Sequence, residues 1–416
     1  MSDVTNNNRT PESNGRRKLR GVEPPPEVEL LLLCARAELG HGDARRIREL
    51  AAGGLDWDAV VDGALRHALV PLVHLHLSSH SMPALPADAP ARLRDLARRM
   101  AALNSYLVAE LSELLAEFGA RGVEAIPYKG PALALEAYGR VGLRQFCDLD
   151  IVVRPRDVGT AAAVLRERGY APYRDLGEAQ LALMLRTQCN VPFTRDGDRS
   201  VVELHWDVCA RDFARPLDTE EFWARSRESG FRGAPSRQLS TEDLLLALCV
   251  HGSKHRWEQL SWVCDVAQLL DGNPNLSAGE LLRRAGGAGV RRMLLLGLRL
   301  AHELLGASLV PTLREAVEAD AASARLAETV IGNICGRGGA PSGVGGYFGF
   351  QWAARERAVD KLRYCRYALH PTDEDLSGVA LPRTLAFAYY ALRPLRMLRT
   401  GGPASLRRRV NSDAAR

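Results

Sequence analysis

The 416-residue chain is poor in lysine. Of its 55 basic residues only Lys18, Lys129, Lys254 and Lys361 are lysines, and arginine supplies the rest. Such a bias fits genomic base composition, but a compact ammonium and a planar guanidinium are not interchangeable. The places where lysine persists are therefore places to look. The chain also lacks any apolar run near the ~18 residues a membrane-spanning helix needs. Its longest, "LLLL" at 30–33 and "LLLALCV" at 244–250, end in polar residues. The N-terminus "MSDVTNNNRTPESNGRRKLR" has no apolar stretch after its charges, which speaks against a secretory signal and predicts a disordered leader over 1–25. Eight cysteines, at 34, 147, 189, 209, 249, 264, 335 and 365, form no CxxC pair and no zinc-ligand spacing. They read as buried, reduced thiols of a cytoplasmic protein. The net charge is +5, with no long basic run, so nothing demands a nucleic-acid partner.

Leucine and alanine recur at helical spacing in "EVELLLLCARAEL" and from Ala91 to Phe118, with Asp56 placed as an N-cap before "WDAVVDGALRH". This predicts an N-terminal helical region over 26–100. The character then changes. "VEAIPY" (123–128) and "CDLDIVV" (147–153) read as strands, and "KGPALALEAYG" and "PRDVGTAAAVLRERGY" as helices. "NVPFTR", the turn "DGD" and "SVVELHWDV" read as a hairpin. These elements predict an α/β core over 101–215. "RESGFRGAPSRQLST" (227–241) reads as a linker by composition. A C-terminal helical domain is expected over 241–400, interrupted by a flexible glycine-rich loop at 335–350. A basic tail is expected over 401–416.

The stretch "RQFCDLDIVVRP" raises the central question, because two aspartates open a β-branched run. Asp-x-Asp occurs four times. At Asp56/Asp58, Asp196/Asp198 and Asp373/Asp375 it suits a helix start, a turn and a polar loop. At Asp148/Asp150 it leads into a strand, where residues i and i+2 share a face roughly 7 Å apart. Leu149, Ile151 and Val153 then face a core. Two like charges this close repel unless a cation lies between them, and magnesium prefers oxygen ligands. In "VVELHWDV" Glu203, His205 and Asp207 also share a face. If that strand neighbours the first, Asp148, Asp150 and Glu203 converge as metal ligands. Two ions about 3.5–4 Å apart could then act on a phosphoryl displacement.

A phosphate site is expected at Lys129-Gly130, a turn from strand to helix. There a helix N-terminus offers free N–H groups and glycine admits a close approach. Arg144 could add a bidentate contact. No Walker A sequence is present. His251 and His255, spaced i, i+4, are placed near the cleft, hydrogen-bonded with Asp265 or packed. His205 is either a general base or a satisfied structural histidine. The tail from Leu381 to Arg409 is apolar and basic. It could rest on an acidic membrane as a peripheral contact, and docking on the helical domain is the competing expectation.

Lys129-Gly130, Arg144, Asp148-Leu-Asp150, the helix to Gly169-Tyr170 and "ELHWDV" together resemble the nucleotidyltransferase superfamily, whose palm is DNA polymerase β-like. More narrowly the chain is similar to the bacterial family of uncharacterised nucleotidyltransferases, over roughly 45–270. The resemblance implies an α+β fold, a small mixed-sheet palm flanked by N- and C-terminal helical regions. It implies transfer of a nucleoside monophosphate from an NTP such as ATP to an acceptor, with two Mg2+ ions as cofactors and pyrophosphate released. Asp148, Asp150 and Glu203 would bind the metals, and Lys129 and Gly130 the triphosphate. This chain has Lys-Gly where the wider superfamily has Gly-Ser or Gly-Gly, and a longer gap to Asp148. The acceptor could be a small molecule, a sugar, a peptide or a protein side chain. The alternative is a catalytically inactive nucleotide-binding or scaffolding protein.

Overall fold

In the computed structural model the described residues are 23–40, 42–78, 88–174, 177–196, 200–214, 219–336, 344–379 and 381–399. Most of the expected leader, the turn past Asp196, part of the glycine-rich loop and the basic tail lie outside them.

Strands form where β-branched residues run in pleat register. β1 (Ala125–Pro127), β2 (Asp148–Val153), β3 (Ala171–Pro172), β4 (Asn190–Arg195) and β5 (Ser200–His205) make one five-stranded mixed sheet, ordered β1-β2-β5-β4-β3. β2 and β5 are parallel neighbours, and the other pairings are antiparallel. The expected hairpin is β4–β5, although β5 ends at His205, before Asp207.

The pleat divides the sheet into unlike faces. Leu149, Ile151 and Val153 of β2 and Val202 and Leu204 of β5 enter one core. There they meet Leu111, Leu114 and Phe118 of the helix Asp88–Ala120, and Val164 and Leu165 of the helix Val158–Glu167. The opposite face carries Asp148, Asp150, Glu203 and His205. On that side Val152, Ile126 and Tyr128 join the larger, mostly helical core.

That core is built around helices that are apolar on nearly every side, as helices buried all round must be. Ser240 caps the helix Thr241–Lys254 by accepting from the Asp243 N–H, and Leu244 to Val250 are all buried. A turn leads into the helix Leu260–Gly272, and both pack against Arg291–Leu305. Trp257 in that turn is fully buried beneath Gly252 and Gly297.

Two expectations need correction. The stretch expected as a linker is a hairpin, β6 (Arg227–Phe231) paired with β7 (Ala234–Gln238), packed on β1 and on the helix Asp88–Ala120. Arg232 and Gly233 both have positive φ, 50° and 87°, the geometry of a two-residue hairpin turn. Its strands are too polar to show apolar alternation. Of the stretch expected as a flexible loop, the described part from Val344 belongs to a helix, Val344–Ala353. Tyr347, Phe348 and Phe350 pack on the core despite three glycines.

The two glycines under Trp257 give a test with opposed terms. Helix propensity alone favours alanine over glycine by roughly 0.5–1 kcal/mol. A Cβ at Gly252 would lie 2.6 Å from the Trp257 ring, and one at Gly297 2.5 Å from Cys249 Sγ. Overpacking of that kind costs about 1–3 kcal/mol, so Gly252→Ala and Gly297→Ala should lower the urea midpoint. Gly332→Ala, on a helix where a Cβ meets nothing within 4 Å, should raise it. Stabilisation by either of the first pair would refute this packing account.

Candidate functional site

The register of β2 on β5 sets the site. Asp150 stands opposite Glu203, and Val152 opposite His205. The ligating atoms of Asp150, Glu203 and His205 all lie within 4.8 Å of one another. The strands thus bring together two of the three carboxylates expected to converge, with His205 added. Asp148 lies on the same face and is partly buried, but falls outside that group.

Asp150 is 4% exposed, and a buried carboxylate requires partners. Lys129 Nζ donates to its Oδ1 over 2.8 Å, and His205 Nε2 lies 3.1 Å from the same oxygen. His205 Nε2 is also 3.2 Å from Glu203 Oε2, which accepts from Asn190 Nδ2 over 2.8 Å. The Tyr128 ring meets the His205 ring edge-on at 5.4 Å.

Burial works against every charge in this cluster, and the neighbours reverse it. Asp150 is held below the usual carboxylate range because Lys129 and His205 outweigh desolvation. Glu203 is also lowered, against burial, chiefly by the His205 hydrogen bond. Lys129 is raised by Asp150 against burial. His205 is raised well above an ordinary histidine, burial opposed by Tyr128, Asp150 and Glu203. Two carboxylates thus face an ammonium and an imidazolium, four charges that sum to zero.

Lys129 and Gly130 occupy the expected turn into the helix Gly130–Tyr138, with Pro131 in its first turn. Gly130 has φ of +50°, and a Cβ there would stand 2.9 Å from the Asp148 carbonyl oxygen. Any side chain would push the helix N-terminus away from the strand bearing the aspartates. Lys129 therefore reaches Asp150 from a fixed root.

Arg144 sits elsewhere in the network. Its Nε and Nη2 donate to Asp265 Oδ1 and Oδ2 at 2.9 and 3.0 Å, and Tyr138 Oη donates to Oδ1 at 2.8 Å. The pair ties the segment before β2 to the helix Leu260–Gly272. Asp265 is therefore engaged by Arg144 and Tyr138, where sequence reasoning offered it to the histidines. His251 and His255 instead pack on each other at 4.7 Å and on Trp262 at 5.2 and 5.4 Å. Burial pushes both imidazoles well below the ordinary histidine range, and the nearby Lys129 and Lys254 add to the effect.

Sequence reasoning missed two neighbours in the cluster, since Asn190 was seen only as a strand residue and Tyr128 only as a strand end.

The donor set fits a divalent cation. Carboxylates suit magnesium or manganese, and an imidazole nitrogen widens the choice toward manganese and other first-row ions.

A family model described as an uncharacterised nucleotidyltransferase matches residues 53–306, a span that contains every residue of this site. No curated protein and no solved structure matches. With more than half of its length matched, the chain belongs to the uncharacterised nucleotidyltransferase family, transferases of phosphorus-containing groups.

Proposed function

We propose that the chain is a metal-dependent enzyme of the polymerase β-like type that transfers a nucleoside monophosphate from an NTP to an acceptor hydroxyl or side chain. The observation that carries this reading is the in-register pairing of Asp150 with Glu203, with His205 beside them. Two acidic strand positions within ligand distance of one point are costly unless positive charge meets them, and Lys129 and His205 supply it until a metal ion takes their place.

In this reading the five-stranded sheet is the palm, within a core domain over 101–215, and the helical domain over 241–400 closes over its charged face. Asp148, Asp150 and Glu203 hold the cation. Bound there, divalent ions would stabilise both the attacking and the leaving oxygens of an in-line displacement. The acceptor oxygen forms a bond to the α-phosphorus as the bond to the β-phosphate bridging oxygen breaks. The acceptor proton passes to a carboxylate of the site, and pyrophosphate departs. His205, held as an imidazolium, orients the two carboxylates rather than serving as the base. Gly130 and the helix N-terminus at Lys129 face the donor phosphates. The acceptor enters between sheet and helical domain, where clefts usually form. Among the described residues no helix is long and apolar enough to cross a membrane. We place the reaction in the cytoplasm.

A second reading has one observation in its favour. Lys129 and His205 already neutralise Asp150 and Glu203, so the cluster is stable without turnover, as a nucleotide-binding scaffold requires.

Thermal unfolding with each NTP, with and without Mg2+ or Mn2+, tests the first reading. A ligand at a hundred times its dissociation constant adds about 2.7 kcal/mol of stability. One NTP should raise the midpoint in a metal-dependent way, and Asp150→Asn or Glu203→Gln should abolish the rise. No shift with any nucleotide at millimolar concentration would count against the enzyme and the scaffold alike. A metal-independent shift retained in both variants would favour the scaffold.

The Arg144 pair yields a separate prediction. Asp265 is 1% exposed and accepts both guanidinium bonds. Removing one partner of such a pair costs about 3–5 kcal/mol. Arg144→Met should therefore lower the unfolding free energy by that order. A variant as stable as the parent would show that Arg144 is not a structural clamp and return it to the phosphate site.

A further inference from the structure

Asp150, the carboxylate central to the metal site, already holds a cation of the chain's own. Lys129 Nζ donates to Asp150 Oδ1 over 2.8 Å, and the two side chains are 11% and 3% exposed. An ion coordinated to that oxygen at about 2.1 Å would stand within about 5 Å of the ammonium. Positive charges that close, with little water to screen them, repel each other. The Lys129–Asp150 pair and a divalent ion on the same oxygen are therefore alternatives. Resting on the nucleotidyltransferase reading, we infer that Lys129 is a tethered stand-in for the metal, and that it leaves Asp150 for the phosphate tail when metal and triphosphate arrive together.

The geometry suits Lys129 to such an exchange. Its root is fixed. Lys129 is the N-cap of the helix Gly130–Tyr138, and Gly130 holds φ of +50° with its Cα hydrogens against the Asp148 carbonyl. Its stem is flexible and carries a compact charge that swings without moving the backbone. His205, the other partner of Asp150 Oδ1, has less freedom. Its short side chain hangs on β5, paired in register with β2, and its ring meets Tyr128 edge-on at 5.4 Å.

The phosphate would sit beside that same root. No side chain caps the helix Gly130–Tyr138, so its first turn offers N–H groups to an anion. An anion there lies within the sweep of a side chain that starts at residue 129. Lys129 thus has two stations, the carboxylate on β2 and a phosphate at the helix N-terminus.

The exchange couples two ligands. Metal alone must break the Lys129–Asp150 bond and leave an almost enclosed ammonium without an anion. Metal with triphosphate breaks the same bond and gives the ammonium a phosphate. The site therefore disfavours the free ion and accepts it as a phosphate complex. By linkage each ligand strengthens the other.

Calorimetric titration of the full chain with Mn2+ alone, and with the preformed complex of Mn2+ and tripolyphosphate, tests this. The parent should bind the complex more tightly than the free ion. Lys129→Met should bind free Mn2+ about tenfold more tightly than the parent, equivalent to roughly 1.4 kcal/mol, and the complex no more tightly. Lys129→Arg keeps a cation beside Asp150 and should leave free Mn2+ as weak as in the parent. Lys129→Gln serves as a second neutral variant. Should both neutral forms be unfolded without metal, Mn2+ should restore their thermal transition, and failure to do so would overturn the inference. If both neutral variants fold and bind free Mn2+ no better than the parent, the inference falls and the nucleotidyltransferase reading stands. Equal tightening of free Mn2+ and of the complex would show that the ammonium never passes to phosphate, and would also overturn it. A parent that binds neither the complex nor any NTP with Mg2+ or Mn2+ would remove the reading and the inference together.

Discussion

A single buried oxygen, Asp150 Oδ1, takes hydrogen bonds from Lys129 and His205 at once, and much of the structure is arranged to allow it. The lysine comes from a turn that only glycine can complete, because Gly130 must adopt φ of +50° against the Asp148 carbonyl. The histidine comes from β5, whose parallel register on β2 is fixed by the apolar residues on the far side of both strands. A slip of one residue would send Leu204 into the charged cluster and Glu203 into the core. The hydrophobic face of the sheet therefore specifies the polar one. The polar cluster is tolerable because its charges cancel within one hydrogen-bonded set.

The same logic governs how the helical part meets the sheet. Arg144 and Tyr138 both end on Asp265, so the segment before β2 and the helix Leu260–Gly272 share one buried carboxylate. On that helix Trp262 packs against both His251 and His255, and burial together with the nearby Lys129 charge depresses both imidazoles.

Legibility in the sequence followed the range of the interaction. The period of two in "CDLDIVV" and "VVELHW" marked which residues share a face, and Lys129-Gly130 marked a turn at a helix start. All of these are local patterns, and all appear in the structure as strand faces and a helix N-terminus. Which strand lies beside which could only be posed as a condition. The destination of Arg144 was not readable, because its partner lies 121 residues away and a guanidinium suits a phosphate as well as a carboxylate. His205 was left between two roles for the same reason, since its bond to Asp150 depends on the β2–β5 pairing. The β6–β7 hairpin was hidden by composition. Polar edge strands closed by a turn of positive φ lack the alternation that betrays a half-buried strand.

The distribution of the two cations ties these points together. Where this chain needs a rigid lock it uses the planar fork. Arg144 on Asp265, Arg225 on Asp243 and Arg366 on Asp212 are all two-pronged pairs. Among the lysines within the described residues, Lys361 lies over the Trp352 ring and Lys129 reaches Asp150 on the charged side of the sheet. A fork at position 129 would demand two oxygens of Asp150 and displace His205 from the one it shares. A point charge needs one. In a chain that otherwise prefers arginine, the lysine at 129 delivers one charge to one shared oxygen.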